Sequence, residues 1–443
     1  MKNVMKRTLA LALAVIMLVS VMGITAFAEK KNPCLPDFKK YTVLGDSNPA
    51  GYGLPAYEAN AYAQNSWPVK EWDLIEGSYP QLLAEALGLS RDQVNVCTHS
   101  CWRTNEFLYM IDPGTYTDYD DNFLRALSQV KKSTLNGKGQ FIRNSIAESD
   151  LITVHFGSND IFSRALVDMI LNDEYADEFE KIGEDLEKLT DPNEFFNAFC
   201  DALDRLGILK DIIASFKAEL EVNTANYEKN MVLVLDEIQK INPDAKIMVM
   251  SLSSPVSLDL RIDHEVVLNF VSSIDKRVSS VNDYLLKLCR NYDNCSLVEA
   301  AEPELYGIKV LDWDLLFAGD FNVVFSALNM VHPTEYGHQY LADQIVAKLL
   351  AERTVDTAYG RYSTYIKRNT INWTPIDGAK KYVIYRSTSE NGAYKKIGTS
   401  TKDIYYDYLT LIGRTYYYRV AAVYDKAGTA VSPLGNIVAL KAK

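Results

Sequence analysis

The amino-acid sequence predicts a three-layer α/β/α sandwich around a mostly parallel sheet, followed by a smaller all-β sandwich. Short apolar runs that end at small or polar residues alternate with amphipathic helical segments through most of the chain. Such alternation is typical of a parallel sheet with helices on both faces. Near Thr354 the pattern changes to two-residue alternation, broken by turn signals such as Asp377-Gly378 and Asn391-Gly392. That pattern predicts an antiparallel sandwich.

The length and charge of the chain restrict its class. The chain has 443 residues, 48% of them hydrophobic, and a formal net charge of −12. It is therefore long enough for one large and one smaller domain. The acidic balance argues against nucleic acid and against an anionic membrane surface as partners. We expect no cofactor.

The N-terminus has the pattern of a secretion signal. A basic stretch with Lys2, Lys6 and Arg7 precedes an apolar run, Thr8–Val21, which is short for a membrane-spanning helix. Ala26-Phe27-Ala28 forms a small-residue cleavage site. The sequence therefore predicts a signal peptide over 1–28, a mature start at Glu29 and an extracellular protein. An uncleaved membrane anchor is the alternative.

Five strands and the helices between them are predicted in the first domain, over 29–353. The strands are Tyr41–Leu44, Val94–Val96, a third beginning at Asp150, Ala245–Ser251 and Ser296–Val298. Predicted helices cover Ser78–Leu89, a segment from Asn105, Val271–Asn291 and a segment that follows His332 and runs through Leu350.

A mainly helical insertion is predicted over about 162–242. Its apolar stripe consists of Phe195, Phe196, Phe199, Leu203, Leu206, Ile212, Ile213 and Phe216. Such a stripe indicates either a helical pair packed on the domain's own core or a lid that contacts an acyl chain.

The six cysteines allow disulfides in an exported protein, and Cys289 with Cys295 could close a short polar loop. Cys97, His99 and Cys101 form a C-x-H-x-C pattern that suggests a metal. However, an extended backbone places the two sulfurs too far apart for one ion, because four residues of strand span about 13 Å. We therefore expect neither a metal nor a Cys97–Cys101 bridge, unless the chain turns tightly there.

Three polar stretches each follow a strand or precede a helix. Gly45-Asp46-Ser47 follows the first strand, Gly157-Ser158-Asn159-Asp160 follows the third, and His332-Pro333 precedes the last helix of the domain. In an open α/β sheet, ligands bind beyond the carboxyl ends of the strands. His155, inside the third strand, is expected to be a packed histidine.

The aromatic residues after the first strand could contact sugar rings or acyl chains or simply cover the domain: Tyr52, Tyr57, Tyr62, Trp67 and Trp72.

These stretches, in this order, resemble the motif blocks of the SGNH (GDSL-type) hydrolases over about Tyr41 to Glu352. The resemblance implies that Ser47 is a nucleophile and that His332 is its general base. It also implies three oxyanion donors: the Ser47 backbone N–H, the Asn159 side-chain amide and a backbone N–H of the second block, where the best-aligned residue is Cys101.

Two positions depart from the family pattern. Cys101 stands where the second block normally has glycine, so its side chain could crowd an acyl pocket. Asn329 stands three residues before His332, where the triad acid is usual. An asparagine can orient a histidine but cannot offset the imidazolium charge. Either Asn329 is the third member, or another group such as Asp320 is, or the site is a dyad.

The final segment, 360–443 after a linker at 354–359, resembles a fibronectin type III domain. The resemblance rests on Trp373, the Gly378–Tyr382 segment and the Gly413–Val420 segment, with Tyr416 as a candidate tyrosine corner. It implies a spacer or binding module, with possible polysaccharide or cell-surface contact.

Together these features predict a secreted serine esterase, with carbohydrate esters as the favoured substrates. A lipase or lysophospholipase is the first alternative, favoured by the apolar insertion. A catalytically weakened cell-surface binding protein is the second, favoured by Asn329.

Overall fold

A computed structural model describes residues 32–57, 73–100, 102–117, 138–163, 192–254, 265–299 and 332–443. The chain divides into two compact units. The first holds Phe38–Ala84 and Leu89–Ile345. The second holds Glu85–Gly88, Val346–Lys443 and the described residues before Phe38. The predicted signal peptide lies outside the described residues.

The first unit contains a five-stranded sheet. Its strands are β1 (Tyr41–Gly45), β2 (Val94–Thr98), β3 (Leu151–His155), β4 (Lys246–Met250) and β5 (Cys295–Val298). They pair in the order β2-β1-β3-β4-β5, and all four pairings are parallel. After β1 the chain therefore forms β2 on one side of β1, and then returns to form β3, β4 and β5 on the other side. The crevice for ligands in such a sheet opens where this direction reverses, between β1 and β3.

Helices connect these strands. They are α1 (Ser47–Ala50), α2 (Tyr79–Leu87), α3 (Thr104–Ile111), α4 (Gly139–Ala147), α5 (Pro192–Arg205), α6 (Leu209–Ile241), α7 (Glu265–Cys289) and α8 (Glu335–Glu352). A 3₁₀ turn covers Arg91–Gln93, and a single π-helical turn covers Asn159–Ser163. Helix α7 begins six residues before its predicted start, because Glu265–Phe270 continues the same helix.

In the first unit, helices cover both faces of the sheet and bury its side chains. One face of the sheet, with Leu44, Ile152 and Val249, packs against α3, α4, α6 and α7. On the opposite face, the Tyr79 ring of α2 lies 5.9 Å from the His155 ring of β3 and 6.2 Å from the His338 ring of α8. Successive side chains of a strand point to opposite faces, so a fully buried strand needs cover on both. The predicted α/β class is confirmed.

The predicted apolar stripe of the insertion forms a separate small core. Leu203 of α5 and Ile212 and Ile213 of α6 pack with Val267 of α7. The Phe216 and Phe270 rings meet edge to face, with centroids 5.4 Å apart. The later turns of α6, including Met231 and Val234, pack on the main core. Leu203, Ile212 and Ile213 are therefore buried between helices, as expected of a helical pair packed within the domain, whereas Leu206 of the predicted stripe is 48% exposed. The side chains of Phe195, Phe196 and Phe199 lie outside the described residues.

The C-terminal strands form two antiparallel sheets, and they confirm the predicted sandwich. The three-stranded sheet, in the order β10-β7-β6, contains β6 (Tyr359–Ser363), β7 (Arg368–Asn372) and β10 (Ile404–Asp407). The four-stranded sheet, in the order β12-β11-β8-β9, contains β8 (Lys381–Ser387), β9 (Lys395–Ser400), β11 (Thr415–Val423) and β12 (Val438–Lys441). Their inward side chains, such as Ile371, Ile384 and Val420, form one core with Trp373.

Tyr416 makes the contact expected of a tyrosine corner. The backbone N–H of Leu411 donates to its hydroxyl oxygen over 3.0 Å. This bond ties the start of β11 to the loop before it. Tyr382, in the segment that carries the predicted resemblance, likewise accepts from the Ile376 N–H over 2.9 Å and packs against the Trp373 ring.

The cysteines that the structure describes are buried: Cys34, Cys97, Cys200, Cys289 and Cys295. None of them forms a disulfide bond within the described part of the chain. The short loop between Cys289 and Cys295 is closed by backbone hydrogen bonds instead, from Tyr292 to Cys289 and from Cys295 to Tyr292.

No helix within the described ranges is long and apolar enough to span a membrane.

Candidate active site

Ser47 lies directly beyond the carboxyl end of β1, at the first residue of α1. Asp46 caps this short helix, because its carboxylate accepts from the Asn48 backbone N–H over 2.9 Å. Gly45 allows the close approach of β1 and β3 here. A Cβ at position 45 would lie 2.5 Å from the His155 carbonyl oxygen and 2.5 Å from the Pro49 side chain. In the Gly-Asp-Ser motif, Gly45 is therefore required because a side chain would clash, and Asp46 caps the helix that begins at Ser47.

His332 lies beside Ser47 in space although 285 positions separate the two along the chain. Its Nε2 atom is 2.7 Å from the Ser47 hydroxyl oxygen. This distance is that of a hydrogen bond. The pairing places an imidazole where it could take a proton from the serine hydroxyl, as a general base must.

Tyr52 packs against the His332 ring. The centroids of the two rings are 4.4 Å apart, and their planes are inclined by 35°. Tyr52 follows the glycine that ends α1, and its backbone N–H donates to the Ser47 carbonyl oxygen over 3.1 Å. Its ring also lies 5.4 Å from that of Tyr57, whose hydroxyl forms a 3.0 Å hydrogen bond with Ser100. The first residues of the predicted aromatic loop therefore pack within the site, and the remaining three lie outside the described residues.

Asn159 follows β3 at the same edge of the sheet. Its side-chain nitrogen donates to the Trp102 carbonyl oxygen over 3.2 Å, which fixes the orientation of the amide. Gly157, two residues earlier, has a φ of +134°, and a Cβ there would lie 2.6 Å from Leu252 and 2.9 Å from Tyr227. Only glycine adopts this backbone without strain. The glycine thus lets the chain turn so that Asn159 faces the second block.

Asp160, the last residue of the Gly157–Asp160 stretch, links that stretch to the second motif block, which precedes α3. Its carboxylate accepts from the Thr104 backbone N–H over 3.0 Å and from the Thr104 hydroxyl. Thr104 is the first residue of α3, where backbone N–H groups lack partners within the helix. Asn230 of α6 adds a 3.0 Å bond to the same hydroxyl. The loop that precedes α3 is therefore anchored to the loop that carries Asn159.

Burial shifts the acidity of the carboxyl groups near the serine. Desolvation raises the pKa of Asp46 to about 7 and that of Asp160 to about 6. The nearby Asp160 charge also raises the pKa of Asp46, whereas the Thr104 hydrogen bonds lower that of Asp160. Arg103 and Glu106 form a buried ion pair beside them, 2.5 Å apart. This edge of the sheet therefore contains two buried carboxyl groups that ionise less readily than usual, next to a buried ion pair.

The other described histidines are held neutral by burial. Desolvation lowers the pKa of His155 and of His338 to about 3 and that of His99 to about 4. His99 stacks on Trp102, and desolvation raises the pKa of the neighbouring Cys97 thiol to about 12. Among the residues that the structure describes, no cluster of three or more His, Cys, Asp or Glu side chains is arranged to hold a metal ion.

The structure brings Ser47 and His332 into contact, and it places Asn159 after β3, the strand that pairs with β1. Cys101, Asn329 and the alternative acid Asp320 lie outside the described residues. Two contacts were not predicted from the sequence: that of Tyr52 with His332, and that of Thr104 with Asp160. Tyr52 stands in a tyrosine-rich stretch, but nothing in that stretch indicates which ring reaches the histidine.

The fold and this edge of the sheet define an α/β protein with a serine–histidine pair at the topological switch point. The chain belongs to the GDSL-like lipase/acylhydrolase family, whose pattern it matches over residues 43–340. The family acts on ester bonds, so an ester substrate follows from membership.

Comparison with solved structures finds similar chains for both parts of the protein. An extracellular lipase from Streptomyces rimosus is 16% identical, with 70% of this chain and 99% of that chain covered and a TM-score of 0.39. A phospholipase A1 from Streptomyces albidoflavus NA297 is 13% identical over 59% and 79%, with a TM-score of 0.34. An Fn3-like protein from Clostridium thermocellum is 28% identical over 20% and 88%, with a TM-score of 0.18. Comparison with curated proteins finds no match.

Proposed function

We propose that the protein is a secreted serine esterase that removes acyl groups from carbohydrate esters by a Ser47–His332 mechanism. The observation that carries the proposal is the 2.7 Å contact between His332 Nε2 and the Ser47 hydroxyl at the carboxyl edge of the sheet. The contact favours an active enzyme over a weakened binding protein, because a binding role alone does not require it.

In the proposed first step, the Ser47 oxygen attacks the ester carbonyl carbon while His332 takes the hydroxyl proton. The imidazolium then gives this proton to the departing alcohol oxygen, which leaves an acyl group on Ser47. In the second step, His332 takes a proton from water, and the resulting hydroxide attacks the acyl carbon. The proton returns to Ser47, and the carboxylic acid leaves.

Negative charge develops on the carbonyl oxygen in both steps and requires donors. We assign this role to the Ser47 backbone N–H and to the Asn159 amide. A backbone N–H at Cys101 is the third candidate from the sequence. The bond from Asn159 to the Trp102 carbonyl supports its assignment, because a donor that is already oriented needs no rearrangement as the charge develops.

Exposed aromatic residues on the C-terminal unit support a carbohydrate substrate. Tyr359 of β6 and Tyr406 of β10 are 65% and 40% exposed. Arg361 of β6 and Tyr406 of β10 each pair with Thr370 of the central strand β7. Their side chains therefore point to the same, outer face of the three-stranded sheet. The Arg368 guanidinium lies 3.8 Å from the centre of the Tyr406 ring. Flat rings with polar edges suit sugar surfaces, and we propose that this face contacts an acylated polysaccharide.

Labelling with a fluorophosphonate tests the enzyme class. The wild-type protein should be labelled at a single serine, and Ser47→Ala should abolish both labelling and ester hydrolysis while the circular dichroism spectrum is retained. Ser363→Ala is the matched control, because that residue lies in β6 of the other unit. Full activity of Ser47→Ala would overturn the assignment, and an unlabelled, inactive wild type would favour a binding protein.

A substrate panel then separates the substrate classes. Acetylated xylan, nitrophenyl esters of increasing chain length and lysophospholipid are compared by kcat/KM. The proposal expects the highest values with acetylated xylan and short acyl chains. A maximum at long chains or with lysophospholipid would instead assign the protein to the lipase type.

A further inference from the structure

We propose that Tyr52 is a positioning residue that stabilises the charged form of His332 through the face of its ring. The inference rests on the proposed function, in which His332 is protonated during each step. It goes beyond that function, because neither the motif blocks nor the family match assigns a role to Tyr52.

The geometry is that of a ring stacked on a cation. The ring centroids of Tyr52 and His332 are 4.4 Å apart, well within the distance of about 6 Å at which a cation is attracted by an aromatic face. The planes are inclined by 35°, so the rings are tilted, and centroids only 4.4 Å apart bring the face of the tyrosine ring, rather than its outer edge, towards the imidazole. The negative face of the ring therefore meets the imidazole that becomes positive when Ser47 loses its proton.

Several contacts hold the Tyr52 ring in this place. Its backbone N–H donates to the carbonyl oxygen of Ser47, so the aromatic residue and the nucleophile are fixed to each other. Gly51 adopts the left-handed conformation that ends α1, with a φ of +79°. A Cβ at that position would crowd Ile75 and Ser78 at 3.1–3.2 Å. The turn that delivers Tyr52 thus depends on this glycine.

Three groups near His332 in space or in sequence carry little or no charge near neutral pH. His338 is neutral because burial lowers its pKa to about 3. Asp46 precedes Ser47, but desolvation raises its pKa to about 7, which reduces its negative charge near neutral pH. At position 329, where the family pattern has an acid, the chain has an asparagine, which carries no charge.

The test measures the pKa of His332 directly, with and without the ring. Its carbon-bound proton is followed by NMR against pH in wild type, Tyr52→Phe and Tyr52→Leu, with His332→Gln used to assign the signal among the five histidines. Tyr52→Leu should lower the pKa by about 0.4–1.5 pH units, because the ring no longer favours the cation. Tyr52→Phe should restore it. Tyr336→Leu is the control, since that ring lies on α8 and is 69% exposed.

Kinetics provide the second measurement. In Tyr52→Leu, the acidic limb of the kcat profile should move to lower pH, and kcat on the plateau should fall about two- to thirtyfold. If Tyr52 only filled space, kcat would fall without movement of the limb. Should the leucine variant fold poorly, a fluorinated phenylalanine at position 52 keeps the shape but weakens the ring face, and the same shift in pKa is expected.

An unchanged His332 pKa in both the leucine and the fluorinated variants would overturn the inference. The proposed function fails by a different result, namely a wild-type protein that is neither labelled by fluorophosphonate nor active on any ester. The NMR comparison remains informative in that case, because it requires no substrate.

Discussion

Thr104 donates both its backbone N–H and its hydroxyl to the carboxylate of Asp160. These bonds join the start of α3, which follows the second motif block, to the turn that carries Asn159. These hydrogen bonds give Asp160 a structural role. Its carboxylate is buried and fully engaged, and it does not touch Ser47 or His332 through any contact that the structure describes.

We predict that Asp160→Ala destabilises the protein and lowers its activity. Two buried donors of Thr104 would lose their acceptor, at a cost of about 1–3 kcal/mol each. Asn159, the adjacent residue, would lose part of its support, so kcat should fall as well. Asp160→Asn keeps an acceptor oxygen and should retain most of both. Thermal unfolding and esterase kinetics measure these effects, and equal loss in the two variants would show that the charge, rather than the acceptor, is required.

Asn159→Ala should reduce kcat by a factor of about 10²–10³, with little change in KM. The reason is that an oxyanion donor acts mainly in the transition state, when the carbonyl oxygen carries its negative charge. Steady-state kinetics on one small ester provide the measurement. Asn391→Ala, in the exposed turn before β9, is the matched control. An effect confined to KM would assign Asn159 to substrate binding.

The stabilising contribution of Asp46 should fall as pH rises from about 4 to about 7, whereas the buried histidines, whose pKa values are lowered to about 3 or 4, contribute stability that rises over much of the same range. The pKa of buried Asp46 is raised to about 7, so between about pH 4 and about pH 7 the folded chain holds a proton that the unfolded chain releases. Asp46 therefore stabilises the fold at low pH and loses this contribution as it ionises, by an amount on the order of 4 kcal/mol. Asp160 contributes with the same sign up to about pH 6.

Asp46→Asn isolates this effect, because an amide can still accept from the Asn48 N–H but does not ionise. Urea unfolding at pH 4.5 and pH 8 should show that the stability of the variant, relative to wild type, is higher at pH 8 than at pH 4.5. An identical pH dependence in the two proteins would mean that the Asp46 carboxyl titrates normally in the folded state.

Asn329→Asp tests the third catalytic position, which lies outside the described residues. A carboxylate beside His332 should raise its pKa and stabilise the imidazolium. We therefore expect a higher kcat/KM near neutral pH and an acidic limb moved to higher pH. An unchanged or lower rate with an unmoved limb would remove position 329 from the site and indicate a remote acid such as Asp320 or a Ser47–His332 dyad.

Sequence patterns predict the fold well because the five buried strands of the first unit are bounded by breakers. Each of these five strands begins within about one residue of its predicted start. The boundaries of α7 are less well predicted, since Glu265–Phe270 has the same helical periodicity as its surroundings and no capping signal. The change to two-residue alternation near Thr354 predicts the antiparallel strands because those strands expose one face to solvent.

The contact between Ser47 and His332 follows from their positions at a strand end and before a helix, which the sheet topology brings to one edge. The packing around that pair cannot be predicted from the sequence in the same way. Which ring packs on His332, and which donor meets Asp160, depend on side-chain packing between segments distant in sequence. The raised pKa of Asp46 depends on burial, which no local pattern at Gly-Asp-Ser reveals.

The pairing of β1 with β3 has a consequence for how this protein could diversify. Gly45 lies opposite His155 in the register, so the serine and the asparagine are delivered by two directly hydrogen-bonded strands. The long helical insertion leaves the sheet after β3 and returns at β4, and its helix α6 contributes Asn230 to the Thr104–Asp160 contact. By contrast, Leu203 of α5 packs in the separate small core. Recombination or laboratory evolution could therefore change the length and surface of α5 without moving the nucleophile relative to the amide.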